Sequence, residues 1–281
     1  MSVRFRPAAH EQLINNKTMS KQTEITTKYF RQYRQKLGFI NRSNIKNFFG
    51  AKDITPTVDF NYIILLNKRL CNIVDKVNSI VVKEIKIDDL TAFKKEHINR
   101  TFKIMKKSNI LPILNNQGRR PEQVYFSWMR GYVISEYFLK ALGLIFNVNT
   151  SKIDLIGDDD LKSVETFKRT PKADLEIRLR GKEKIRIEMQ SGFTGTNDIK
   201  QHKVLEAKRV FHDKGIHTLV IHFDLYNGQV AFIKLDEIED DSVNWITRQQ
   251  MEGQTVFNID QNYFVWKITE NPIKYKKINF D

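Results

Sequence analysis

One cysteine in 281 residues, Cys71, leaves no partner for an intramolecular disulfide and no thiolate cage for zinc. The lone thiol is expected as a small core residue. Long apolar runs are missing too: the longest, YIILL at 62–66, is far short of the roughly 20 residues that a membrane-spanning helix needs. No charged-then-apolar leader is read near residue 1, so no membrane partner is expected and the expected location is cytoplasmic. The phosphate-cradling patterns GxxxxGK[ST] and GxGxxG do not occur, which argues against a nucleotide-driven motor and against a nucleotide cofactor. His202, His212, His217 and His222 include no HExxH pair and have no cysteine partner, so a zinc hydrolase lacks its ligands. Ser127 and Ser191 have no nucleophile-elbow context.

What the chain has in excess is positive charge, unevenly placed. Residues 1–130 carry 25 Lys and Arg against 10 Asp and Glu, whereas residues 131–281 carry 22 against 23, so the net +14 is a property of the first half. A polyanion rewards such segregation, because each neutralised phosphate releases counterions. Asn41, Asn44, Asn47, Asn67 and Asn72 lie in this basic part, and asparagine can read adenine bidentately. Residues 1–18 have neither a helical nor a strand period and precede Met19, so they are expected to be an extension without a structural role.

Apolar spacing predicts helices over 24–37 and 43–49, then a long one over 58–82 with Phe60, Ile63, Ile64, Leu70, Ile73, Val74 and Val77 on one face. Asp88 and Asp89 open a further helical stretch, and the loop 115–123 marks the best boundary. Beyond it the pattern becomes mixed. Residues 125–143 form an amphipathic helix stopped by Gly143, residues 151–157, 173–181 and 183–190 read as strands, 198–215 as a helix, and 217–226 and 229–238 as strands. The order predicts an α/β class, a central mixed sheet flanked by helices, with a basic all-helical region on its N-terminal side.

Residues two apart on a strand share a face, so Glu188 and Gln190 point together while Ile185, Ile187 and Met189 turn to the core. On the preceding strand Leu175, Ile177 and Leu179 form the core face, leaving Asp174 on the polar side. With neighbouring strands about 4.8 Å apart, Asp174 and Glu188 can reach one divalent cation, and two hard oxygen ligands suit magnesium. Asp158, Asp159 and Asp160 read as a solvated turn, since consecutive side chains there diverge.

Pro171-Lys172-Ala173-Asp174 followed by Glu188-Met189-Gln190 resembles the signature of the PD-(D/E)XK nucleases. Pro171 stands three residues before the aspartate and glutamine takes the usual place of lysine, as in some type II restriction endonucleases. The resemblance covers residues 125 to about 235 and implies a restriction-endonuclease-like catalytic domain over 121–281, beside a DNA-binding region over 19–120. It implies Mg2+ held by Asp174, Glu188 and the Met189 carbonyl, with Gln190 orienting the attacking water. Glu136, on the preceding helix, is an additional acidic candidate, against the alternative of a surface pair with Lys140. Lys200 and Lys203 are candidates for a displaced lysine. The expected function is that of a site-specific endodeoxyribonuclease acting on double-stranded DNA as a homodimer. The alternatives are a non-catalytic DNA-binding protein and a repair or RNA nuclease with the same site.

Overall fold

The computed structural model describes residues 26–51, 53–114, 119–157, 173–179, 183–248 and 253–280. The chain divides into two compact units, residues 1–54 and 55–281. The first holds α1 (Thr27–Lys36) and α2 (Arg42–Phe49), capped by Thr26 and Asn41, whose side-chain oxygens accept from Tyr29 and Asn44 amides. Neither helix contains a buried residue.

The second unit begins with α3 (Phe60–Ile80), started by the Asp59 side chain accepting from the Tyr62 amide. Its buried residues are Ile63, Asn67, Leu70, Val74 and Val77, a seam at spacings of three and four. This corrects the expected face in three places. Phe60 and Ile64 are exposed, and Asn67 fills the core position between Ile63 and Leu70, where its Oδ1 accepts from the Tyr125 hydroxyl at 2.6 Å. Asn67 therefore faces no solvent from which to read a base. Asp89 caps α4 (Leu90–Lys94) as expected, which runs through a π-helical turn, Lys95–Arg100, into α5 (Thr101–Lys107).

The central helix α6 (Pro121–Phe146) is longer than its apolar period implied. Proline occupies its first turn, where a missing N–H costs nothing. Gly143 does not stop it. The helix ends at Asn147 in the left-handed region (φ 53°), and Gly143 is needed for closeness: a Cβ there would lie 3.1 Å from the Val148 carbonyl oxygen.

After α6 come β1 (Ile153–Leu155), β2 (Leu175–Arg178), β3 (Lys184–Gly192), β4 (Asp198–Lys200), α7 (Gln201–Lys214), β5 (His217–Asp224) and β6 (Gln229–Lys234). The chain continues through β7 (Ile246–Arg248), β8 (Gln254–Asn258) and β9 (Phe264–Lys267). Six of these strands form one mixed sheet in the order β1-β2-β3-β5-β6-β9, parallel only between β3 and β5, the pair joined through α7. The helix expected over 198–215 begins three residues late, because Asp198–Lys200 joins a second, antiparallel sheet β4-β8-β7.

Each face of the main sheet has its own core. Ile185, Ile187 and Met189 of β3 and Leu219, Ile221 and Phe223 of β5 pack with α3 and α6, Phe138 stacking on Phe223 with ring centres 4.0 Å apart. On the other face Val220, Ala231 and Ile233 meet Val204 and Ala207 of α7. The protein is thus α/β, a mixed sheet between helices. Cys71 is half-buried against the first core.

Candidate active site

Alternation on β3 sends Glu188 to the α7 face, in register with Val220 of β5, while its neighbours Ile187 and Met189 fill the α6 side. The Glu188 carboxylate is buried, 5% exposed, and forms an ion pair with the Lys203 ammonium in the first turn of α7. A carboxylate so enclosed needs a cation, since desolvation of an unpaired charge costs on the order of several kcal/mol. Asp174 sits one residue before β2, where Leu175 pairs with Ile187. Its Oδ2 accepts from the Met189 amide at 2.7 Å, which brings the Asp174 carboxylate to the peptide next to Glu188. The approach to β2 thus places Asp174 at the Met189 peptide of β3, and the first turn of α7 places Lys203 on the neighbouring Glu188.

Gln190 is half-buried on the same face as Glu188, in register with His222. Lys200 ends β4 opposite Val256 and precedes the first turn of α7, so it is Lys203 that meets Glu188. Glu136 is elsewhere. It lies on α6, which packs on the sheet face opposite Glu188, and its carboxylate comes within 3.6 Å of His97 Nδ1. Burial pushes the Glu136 carboxyl up to about 7 and holds the His97 imidazole below its ordinary value. Lys140 turns elsewhere than Glu136; its ammonium donates to the Lys86 carbonyl at 2.8 Å and lies 3.8 Å from Asp88. Pro171, Lys172 and Asp158–Asp160 fall outside the described residues.

The donor set beside β3 fits a hard divalent ion. Carboxylate oxygens from Asp174 and Glu188 and the Met189 peptide are oxygen ligands of the kind magnesium takes, without the imidazole or thiolate that zinc prefers. A separate cluster, His217, Asp236 and Glu237, places one ligand atom from each residue within 4.8 Å of the others. Its members have structural partners: Asp236 accepts from His217 at 2.6 Å and from the Thr218 amide at 2.7 Å, and Glu237 accepts from Lys234 at 2.9 Å.

Among solved structures, a Holliday junction resolvase of the archaeal hyperthermophile Archaeoglobus fulgidus shows a weak likeness. It aligns with a TM-score of 0.24 and 16% identity, over 34% of this chain and 66% of its own length. No protein-family model and no curated protein matches the sequence.

Next to Gln190 lies a polar network that strand periods alone did not reveal. His222 is 3% exposed, and its Nε2 lies 2.8 Å from Asn197 Oδ1. The Asn197 amide nitrogen approaches Asp224 Oδ2 at 3.4 Å, and Asp224 also accepts from the Asn227 side chain at 2.7 Å and the Tyr226 amide at 3.0 Å. Gly192 makes room for it, because a Cβ there would meet Asn197 Oδ1 at 2.8 Å and His222 Nε2 at 3.0 Å. The signal in the sequence was His222 and Asp224 at alternate positions just after the apolar run Leu219–Ile221 of β5. At the end of β3, Arg130 of α6 lies over the Phe193 ring, 4.2 Å from its centre, and 5.7 Å from that of Phe126.

Proposed function

We propose that the protein is a magnesium-dependent endodeoxyribonuclease of the type II restriction kind, cutting double-stranded DNA to 5′-phosphate and 3′-hydroxyl ends. The observation that supports this reading is that the Asp174 carboxylate accepts from the Met189 amide, one residue along from a buried Glu188 that α7 supplies with a lysine. Asp174, Glu188 and the Met189 carbonyl would hold the ion. When bound, it supplies a lowered pKa for a ligated water and positive charge against the transition state. Lys203 is the displaced lysine: it neutralises Glu188 in the metal-free protein and offers a charged donor to a phosphate oxygen during transfer. Gln190 orients the attacking water through its amide. Glu136, whose carboxylate lies within 3.6 Å of His97 Nδ1, is given no role in this reading.

The DNA reading is supported by the charge surplus of residues 1–130, which the helices of residues 26–107 carry largely on exposed positions. If cutting is palindromic, two copies related by a twofold axis are required, and the working form is a homodimer. Incubation of the full chain with plasmid and phage DNA, in Mg2+ and in EDTA, beside Glu188→Ala, tests the assignment. Discrete fragments in Mg2+ alone, lost in the variant, are expected. A smear would replace site specificity by nonspecific cutting, and retarded but intact DNA under every condition would leave a DNA-binding protein.

A further inference from the structure

The hydrogen-bond directions around His222 can be worked out from its charged end. Burial pushes the Asp224 carboxyl up, but donors from Asn227, Tyr226, Asn197 and Gln229 more than offset this and keep it below its ordinary value, an ionised acceptor. Asn197 must therefore turn its NH2 toward Asp224 and its carbonyl oxygen toward His222. A carbonyl oxygen only accepts, so the hydrogen between them is on His222 Nε2. The opposite ring nitrogen, Nδ1, is then left with a lone pair. It is buried and has no hydrogen-bond partner among the described residues.

An orphaned buried acceptor costs about 1–3 kcal/mol unless something donates to it. The neighbour placed to do so is Gln190, paired in register with His222 on the adjacent parallel strand and turned to the same face. Behind His222 the Phe264 ring closes the far side, its centre 6.4 Å away and edge-on. We propose that His222 is a positioning residue for Gln190: when the Gln190 side chain turns toward it, the Nδ1 left unpartnered here accepts the Gln190 amide N–H, and the Gln190 carbonyl oxygen then faces the attacking water. A glutamine amide can otherwise present either end. With the chain Asp224, Asn197, His222 and Gln190 ordered in one direction, only the accepting end faces outward, and a water O–H is what an accepting oxygen orients. Lysine in the same place would carry no such ambiguity, which gives the network a reason to exist beside glutamine.

This rests on the nuclease assignment for its consequence, but the hydrogen bond itself does not, so the two are tested separately. In the metal-free full chain, 15N NMR of the histidine ring nitrogens is expected to show His222 neutral, protonated on Nε2, with an Nδ1 signal that shifts in Gln190→Ala while the Nε2 signal stays. A proton on Nδ1, or an Nδ1 signal indifferent to Gln190→Ala, overturns the proposal. Cleavage in Mg2+ gives the second measurement. His222→Asn places an accepting oxygen near the former Nδ1 and should cut at close to the wild-type rate. His222→Gln keeps only the donor toward Asn197 and should be slower by about 10- to 100-fold, the scale of a misplaced reacting group. The reverse ranking would mean that His222 only braces Asn197, and would overturn the positioning role. A wild-type chain that cuts no DNA sinks the nuclease reading, while the ring-nitrogen spectra still decide the hydrogen bond.

Discussion

Lys203 and Glu188 form a pair in which each side chain solves a problem of the other, and removing one exposes the cost. Lys203→Met leaves a buried carboxylate without its cation, a change that typically costs about 3–5 kcal/mol. The variant is expected to melt earlier than the parent in EDTA and to regain part of the loss when Mg2+ is added, because the ion replaces the missing charge. Differential scanning calorimetry at fixed ionic strength measures both effects; an unchanged midpoint in EDTA would show that Glu188 had not relied on the lysine. Two other buried groups set the pH response, with opposite signs. Burial raises the Glu136 carboxyl from 4.5 to about 7, so the fold binds that proton more tightly, and this contribution is present below pH 4.5 and lost as pH rises through 7. His222 is lowered from 6.5 to about 4, by burial against the opposing influence of Asp224 and Asp198, so its contribution is present above pH 6.5 and lost as pH falls through 4. Each is worth about 3 kcal/mol across its window. Between pH 4.5 and 6.5 these two contributions oppose one another, while His97, also held below its ordinary value by burial, adds in the sense of His222. Glu136→Gln separates them. It should be more stable than the parent at about pH 8 by about 3 kcal/mol, and should weaken on acidification from 6.5 to 4. Urea midpoints across this pH range check the effect, and a parent-like curve would contradict it.

At the scale of elements, the strands were the most legible part of the sequence, because a period of two leaves little freedom: β2, β3, β5 and β6 lie where alternation and apolar runs put them, and the faces of Glu188 and Ile187 followed. Helix ends were less legible. Gly143 looks like a stop but serves close packing, and Asn147 ends α6 instead. The strand β4 was hidden because three residues carry no measurable period, and its partner β8 is remote in sequence, with Lys200 opposite Val256. Asn67 was misjudged for a related reason: polarity alone does not distinguish a base reader from a core residue whose partner, Tyr125, lies on another helix 58 residues on. That pair gives an element-level prediction. Asn67→Leu strands the Tyr125 hydroxyl in the core and should cost about 1–3 kcal/mol. The double variant Asn67→Leu with Tyr125→Phe should recover most of this, since both polar groups are then gone. A double variant no better than the single would place the cost in the packing of α3 on α6 rather than in the hydrogen bond.

For the whole molecule the deciding feature is that charge and chemistry come from different stretches of chain. The carboxylates lie after residue 173, in a half with 22 cations against 23 anions, while the surplus precedes residue 131. A nuclease benefits from this division, because a carboxylate site repels phosphate and needs help from elsewhere to hold the substrate near it. The helical cations should then govern the salt dependence of DNA binding, and cations of the C-terminal half should not. Lys103, Lys106 and Lys107 are exposed on α5, and Lys267, Lys276 and Lys277 are exposed near the C-terminus. Reversal of the first three to glutamate should lower the slope of log affinity against log salt by about 0.9 for each phosphate that is no longer neutralised, whereas reversal of the second three, with the same change in net charge, should lower it little. Binding measured in EDTA, where no cutting interferes, over roughly 50 to 200 mM salt separates the two. Equal reductions from both triples would mean that the protein attracts DNA by its total charge, and that the segregation along the chain has no part in how the substrate is held.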